Sequence, residues 1–310
     1  MKRVQLTLFM VLAATALGVA QQPAAKPGPP SSPAPGQSQA PVLEQRPPQT
    51  KPLPQAKTQE EFKAYNDTAA INDPVALEAA ANDFAEKFKD SELRPLLYQR
   101  AMTLYQNANN ADKTIEMARK VIALDPSNPV ALVTAATVLA ERTRETDLDR
   151  DQRLNEAVTN AQKALANIDT GLPIPPGTPQ ERVEAAKKVL TSMAYAAIGT
   201  AELSRNNYAV AETNLRKATE INTVQPDAIT WLRLSVVLDH QQKYQDAMAA
   251  ANRAFDLSPS GTPQRNLAAQ ERDRLAKLTG SQAPSAGTPA PVSEPAPAAP
   301  PAPPKQLPQR

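Results

Sequence analysis

Between positions 228 and 261 the chain reads AITWLRLSVVLDHQQKYQDAMAAANRAFDLSPSG, and its apolar side chains recur every three or four residues in two runs. Trp231, Leu234 and Leu238 share one face of a first helix, while Ala247, Ala251 and Ala254 line a second helix narrow enough to nest against it. Pro259 ends the pair. Immediately upstream, Tyr195, Ile198, Gly199, Tyr208, Ala211, Leu215 and Ala218 precede Trp231, Leu234, Ser235, Tyr244, Ala247, Ala251 and Ala254 at a constant offset of 36 residues. Earlier still, Tyr98, Ala101, Met102, Tyr105, Ala118, Val121 and Pro126 follow the same order and end on an LDPSNP turn. Another pair follows it, with Leu132, Ala136 and Leu139 on its first helix and Ala157, Ala161 and Ala164 on its second. Its insertion, TRETDLDRD, is charged, so it either lengthens a helix or forms a solvated loop.

The two ends of this periodic region read differently. Thr58 and Glu61 are spaced as a capping box, Pro74 restarts a helix, and Phe62, Tyr65, Phe84 and Phe88 supply the apolar faces. Thr262 and Pro263 open a last helix, 263–279, predicted to turn Leu267, Leu275 and Leu278 inward and Arg265, Glu271, Arg272 and Lys277 outward. Between 167 and 178 the sequence is too rich in proline for helix, and one uninterrupted helix is predicted over 180–204, with Thr178 and Pro179 at its cap and first turn. That helix starts about 12 residues before the repeat requires it.

This large, small, aromatic and alanine order, together with the LDPSNP turn, resembles the tetratricopeptide repeat, whose period is about 34 residues. The resemblance implies an all-α, TPR-like α-solenoid of antiparallel helix pairs, with repeats near 58–94, 95–128, 129–169, 192–225 and 228–261 and a capping helix at 263–279. A cap is needed because the last repeat of a solenoid would otherwise expose its apolar face. The FAEKFKDSEL run is also similar to the Phe-x-x-x-aromatic-Pro-x-Ser unit of envelope repeat lipoproteins, although Lys89 stands where that unit has proline.

Composition adds an address. Of 310 residues 32 are proline, crowded into 21–57 and 280–310, and such segments bury too little apolar surface to offset the entropy of ordering. They are predicted to be disordered Pro-rich tails. The opening MKRVQLTLFMVLAATALGVA combines Lys2 and Arg3, an apolar run and a small-residue end, the layout of a signal peptide over 1–20. The run falls short of the roughly 20 residues of a bilayer span, so after cleavage no membrane span is expected and the protein is expected to be secreted, into a periplasm or beyond. There is no cysteine, which removes disulfides, thiol chemistry and N-terminal lipid attachment. The net charge is +2, and because the ends hold the basic excess the middle is mildly acidic, unsuited to nucleic acid.

Candidate chemistry is sparse. The chain has one histidine, no zinc-helix motif, no phosphate-cradling loop and no nucleophile elbow. His240 stands beside Asp239 late in a first helix, and a metal would require further ligands. No cofactor or metal is implied. Carboxylate pairs of the kind that cleave cell-wall sugars remain an alternative, with a cell-wall-active helical hydrolase as the corresponding function.

In tetratricopeptide proteins the concave wall is lined by first-helix residues that point away from the second helix. By that resemblance the wall comprises Gln99, Arg100, Thr103, Asn107, Thr134, Thr137, Glu141, Thr200, Arg233, Val236 and His240. It implies a protein or peptide partner, held without the lysine and asparagine clamp that some members use. Val183, Ala186, Leu190 and Met193 form an apolar stripe on the early part of helix 180–204. Either it packs within the chain, or it makes a docking edge with Leu172 and Ile174 exposed beside it. The second option supports a further alternative, a structural spacer that self-associates, with Pro-rich tails contacting the cell wall. The leading expectation is a non-catalytic binding scaffold of the bacterial cell envelope.

Overall fold

The computed structural model describes residues 51–280. Eleven helices follow one another: α1 Gln59–Ala69, α2 Pro74–Lys87, α3 Arg94–Asn107, α4 Ala111–Leu124, α5 Pro129–Arg142, α6 Arg150–Asn167, α7 Gln180–Ser204, α8 Tyr208–Ile221, α9 Ala228–His240, α10 Tyr244–Leu257 and α11 Pro263–Thr279. Each packs on its chain neighbours, and α5 also lies on α7. The described residues are thus all-helical and packed in adjacent pairs, the layout of an α-solenoid.

Local chemistry sets where the helices begin. Asp73, Asn128 and Thr262 each accept a backbone N–H of the first turn, and each is followed by a proline whose missing N–H costs nothing there. Thr58 accepts the N–H of Glu61 at 3.1 Å, but the Glu61 carboxylate reaches back to the N–H of Lys57 at 2.6 Å, one residue beyond the usual box. The 180–204 helix runs over the expected residues, with Pro179 at its cap. The Thr178 hydroxyl turns instead to the Pro175 carbonyl.

A shared device ends three first helices. Asn109, Asn206 and Gln242 adopt φ of 57°, 61° and 60°, and the following N–H groups bond back to the carbonyls of Tyr105, Glu202 and Leu238. This is the left-handed C-terminal turn in which a helix reverses, and it points each second helix back along the first. Between α5 and α6 the turn is replaced by an exposed loop, and α6 is itself lengthened to 18 residues. The charged insertion therefore does both things its composition allowed.

Second helices pack through small side chains. Ala211, Ala247 and Ala251 are fully buried, as are Ala157 and Ala161. Gly199 on α7 takes this furthest, because a Cβ there would sit 2.6 Å from Leu215 Cγ and 3.2 Å from the Ala211 carbonyl on α8. Gly171 serves the connector between α6 and α7. A Cβ there would lie 2.4 Å from the Ser127 carbonyl, so only glycine lets the two connectors touch.

Two expectations about the ends need correction. The N-terminal boundary of the ordered body lies before 58: Ala56 is buried, Lys57 Nζ donates to the Asp90 carbonyl at 2.7 Å, and Lys51 forms an ion pair with Asp125. The rest of 21–57, the signal segment and residues 281–310 lie outside the described residues. On α11, Leu275 is buried but Leu267 and Leu278 face solvent, and Arg272, predicted outward, is buried with its guanidinium over the Phe255 ring. The inward stripe is Ala268, Arg272, Leu275 and Ala276. Alanine admits close approach, and the aromatic face accepts the cation.

Candidate functional site

The first helices α3, α5, α7 and α9 place the expected wall residues, and the structure sorts them. Gln99, Arg100, Thr103, Thr137, Arg233 and Val236 are half-buried, and Asn107 and His240 are exposed. Thr134 and Thr200 are corrections. Thr134 is fully buried, and Thr200 is nearly so, with its hydroxyl donating to the Ala196 carbonyl one turn back. Neither reaches a groove surface, because α5 is covered on both sides by α6 and α7 and the 180–204 helix sits in the middle of the stack.

Several of the remaining residues are held by neighbouring repeats. Gln99 Oε1 accepts from Asn128 Nδ2 at 3.2 Å, and Asn128 in turn caps α5. Arg100 donates to Asn72 Oδ1 at 2.9 Å, which ties α3 to the turn between α1 and α2. Thr103 donates to its own helix. The hydroxyls of Thr134 and Thr137, one turn apart on α5, are buried with no hydrogen-bond partner among the described residues.

The longest-range contact on the wall joins Arg233 Nη2 to Glu141 Oε1 at 3.0 Å, with 22% and 28% of the side chains exposed. It connects α9 to α5 although α7 intervenes in sequence, so it braces the wall across one helix. His240 is otherwise placed. Its ring stacks on Tyr208 with centroids 4.5 Å apart and planes 9° from parallel, which fixes it at the turn edge, beside α8.

The docking edge is a second correction. Leu172, Val183 and Leu190 are 3%, 6% and 4% exposed, and Ile174 is half-buried against the same core as Leu172 and Leu190. The early turns of α7 and the Pro-rich connector cover one another. Their apolar side chains are spent inside the fold, the more economical outcome for a stripe of this kind.

Titration is perturbed elsewhere. Between α2 and α4, burial pushes the Glu78 carboxyl up, but hydrogen bonds from Tyr105 at 2.6 Å and Lys113 at 3.0 Å, with the charges of Lys113 and Lys120, outweigh it and hold the group below its ordinary value. Burial and the same carboxylate push the Tyr105 hydroxyl up to about 12. Glu212 on α8 repeats the arrangement. Burial is outweighed by hydrogen bonds from Lys243, Arg216 and Gln241, so its carboxyl is also lowered. These carboxylates act as charge-paired staples between helices.

Sequence reasoning missed these staples, and it missed the ordered residues 51–57. The left-handed turns did carry a signal, since Asn109 and Asn206 each stand in an Asn-Asn pair after a first helix, and asparagine tolerates that conformation. Among the described residues no helix is long and apolar enough to cross a membrane, and no group of three or more His, Cys, Asp or Glu side chains is placed to hold a metal ion. No protein-family model and no curated protein sequence matches the chain.

Proposed function

We propose that this chain is a TPR-like, non-catalytic scaffold of the bacterial cell envelope that holds a protein or peptide partner along its first-helix wall, with α11 as the cap of the solenoid. The observation that carries the reading is the wall. Gln99 and Thr103 on α3, Thr137 on α5, and Arg233 and Val236 on α9 are each only partly covered, so polar groups and an apolar contact lie on three of the first helices, although the Thr137 hydroxyl itself is buried. An extended chain presents its own groups at comparable intervals. The wall is also pre-organised by the Arg233 to Glu141 brace and the Gln99 to Asn128 bond, which lowers the ordering cost of binding. The covered carboxylates support a non-catalytic role, because Glu78, Glu202 and Glu212 are committed to interhelical or local ion pairs and Glu61 accepts the Lys57 N–H at the start of α1. The address outside the cytoplasm rests on the signal-like first 20 residues.

The test uses the full chain as bait in detergent extract of the native envelope. Partners retained by the wild type are expected to be lost from Arg233→Glu and recovered by Arg233→Glu combined with Glu141→Arg if the brace organises the wall. Retention unaffected by either variant rejects the wall as the binding surface.

A further inference from the structure

The ordered residues before α1 form a strap along one edge of the solenoid. Lys51 Nζ lies 2.5 Å from Asp125 Oδ1 and 3.3 Å from Ser127 Oγ, in the turn between α4 and α5. A parallel β-bridge pairs Lys51 with Pro173 in the connector between α6 and α7. At the other end Lys57 reaches Asp90 between α2 and α3. Three alternate connectors, α2–α3, α4–α5 and α6–α7, are thus touched by the seven residues 51–57. Along the strap Lys51, Leu53 and Pro54 are partly covered, Pro52 and Gln55 are exposed, and Ala56 is buried.

The strap begins Lys-Pro-Leu-Pro-Gln, and the last residues of the chain read Lys305, Gln306, Leu307, Pro308, Gln309, Arg310. The frame Lys-x-Leu-Pro-Gln recurs. Lys305 is the single lysine and Leu307 the single leucine of the final thirty residues, so composition alone does not account for their spacing. The one position that differs within the frame, Pro52 against Gln306, is exposed in the strap, where the edge makes no demand on it. The likeness stops at Ala56, whose counterpart is Arg310.

We propose that the connector edge is a second peptide-binding site, separate from the first-helix wall, which recognises Lys-x-Leu-Pro, and that residues 305–308 of the same chain are its alternative ligand, exchanging with 51–54. Recognition has two parts. The Asp125 carboxylate, with 16% of its side chain exposed, takes the lysine, and the backbone beside Pro173 takes the extended chain in the manner of an added strand. Reach is sufficient. From Gly280 to Lys305 there are 25 residues, about 80 Å when extended, against about 26 Å for the length of α11 and about 10 Å for each repeat to be crossed. The strap holds the advantage in the resting chain because it is tethered next to its site.

The test is a fluorescent peptide with the sequence of residues 302–310 titrated into the full chain. In the quadruple variant Lys51→Ser, Leu53→Ser, Lys305→Ser, Leu307→Ser both resident copies of the frame are disabled, and the peptide is expected to bind at least tenfold more tightly than to the unaltered chain. Adding Asp125→Lys is expected to weaken this at least tenfold, and a peptide with glutamate in place of Lys305 to recover it. Equal binding with and without Asp125→Lys, or no binding to a quadruple variant of normal helicity, overturns the proposal. A second readout needs no destabilised chain. The protein has no cysteine, so a spin label at Gln55→Cys reports the strap alone, and excess peptide is expected to increase its mobility. An unchanged spectrum at saturating peptide also overturns the proposal. Sedimentation of the Lys51→Ser, Leu53→Ser chain decides the source: a monomer that excludes added peptide supports exchange within one chain, and a dimer refutes it in favour of the tail of a second copy.

Discussion

Truncating Leu190 to alanine separates an internal seam from an intermolecular edge. Leu190 is 4% exposed and belongs to one core with Leu172, Ala194, Ala197 and Ile198. Removing its three outer carbons forfeits their transfer from water and leaves a cavity, which together cost about 2–5 kcal/mol for a buried leucine. Part of the surround is the Pro-rich connector rather than helix. It can relax inward, so the lower half of the range, about 3 kcal/mol, is the expected loss. For a body of this size that corresponds to a fall in melting temperature of about 6–12 °C. Thermal melts of Leu190→Ala followed by circular dichroism, at two protein concentrations tenfold apart, are expected to show the same fall at both. A melt within about 1 °C of wild type, accompanied by loss of a dimer in light scattering, would refute the reasoning, because the side chain would then be covered only by a second copy.

Other consequences follow from single positions. Gly199→Ala is expected to destabilise by about 1–3 kcal/mol through overpacking against Leu215, read as a lower urea midpoint, and the same substitution is expected to cost less in a Leu215→Ala background than in the wild type. Gln242→Gly removes a side chain from the left-handed turn and is expected to stabilise by about 0.5–1 kcal/mol, the balance of relieved strain and added unfolded-state entropy; a lower urea midpoint would contradict it. Because the Glu78 and Glu212 carboxyls are lowered in the fold, the unfolded chain binds more protons in mildly acid solution. Their stabilisation is present above the ordinary carboxylate range and is lost as pH falls through it toward the lower folded values. Urea midpoints are therefore expected to drop between about pH 5 and pH 3, less steeply in a Glu78→Gln, Glu212→Gln chain, and identical slopes would sink the argument.

Helix spans were legible in the sequence because they depend on spacing and caps, both local. The 36-residue offset located the paired apolar faces, and Asp73-Pro74, Asn128-Pro129 and Thr262-Pro263 marked three helix starts. Burial of a given polar side chain was less legible. Thr134 and Thr200 occupy first-helix positions like Thr103 and Thr137, and only the packing of α7 against its neighbours decides that two are covered. His240 shows the same limit, since its partner Tyr208 comes from the previous repeat. The stripe on early α7 was visible, but its cover, the connector carrying Leu172 and Ile174, was an irregular Pro-rich loop with no periodicity to read. Residues 51–57 share the composition of the tail before them, and what orders them is a set of side-chain and backbone partners spread from Glu61 to Pro173.

The proposed partner-binding wall is tested most directly by photo-crosslinking in cells that make the protein, with a light-activated side chain placed in the full protein at Thr137 or Val236 on first helices, and at Val75 or Val210, which are exposed on second helices. The account predicts a discrete adduct of one size from both wall positions and none from the two second-helix positions. Adducts from Val75 and Val210 with none from Thr137 and Val236 would contradict it.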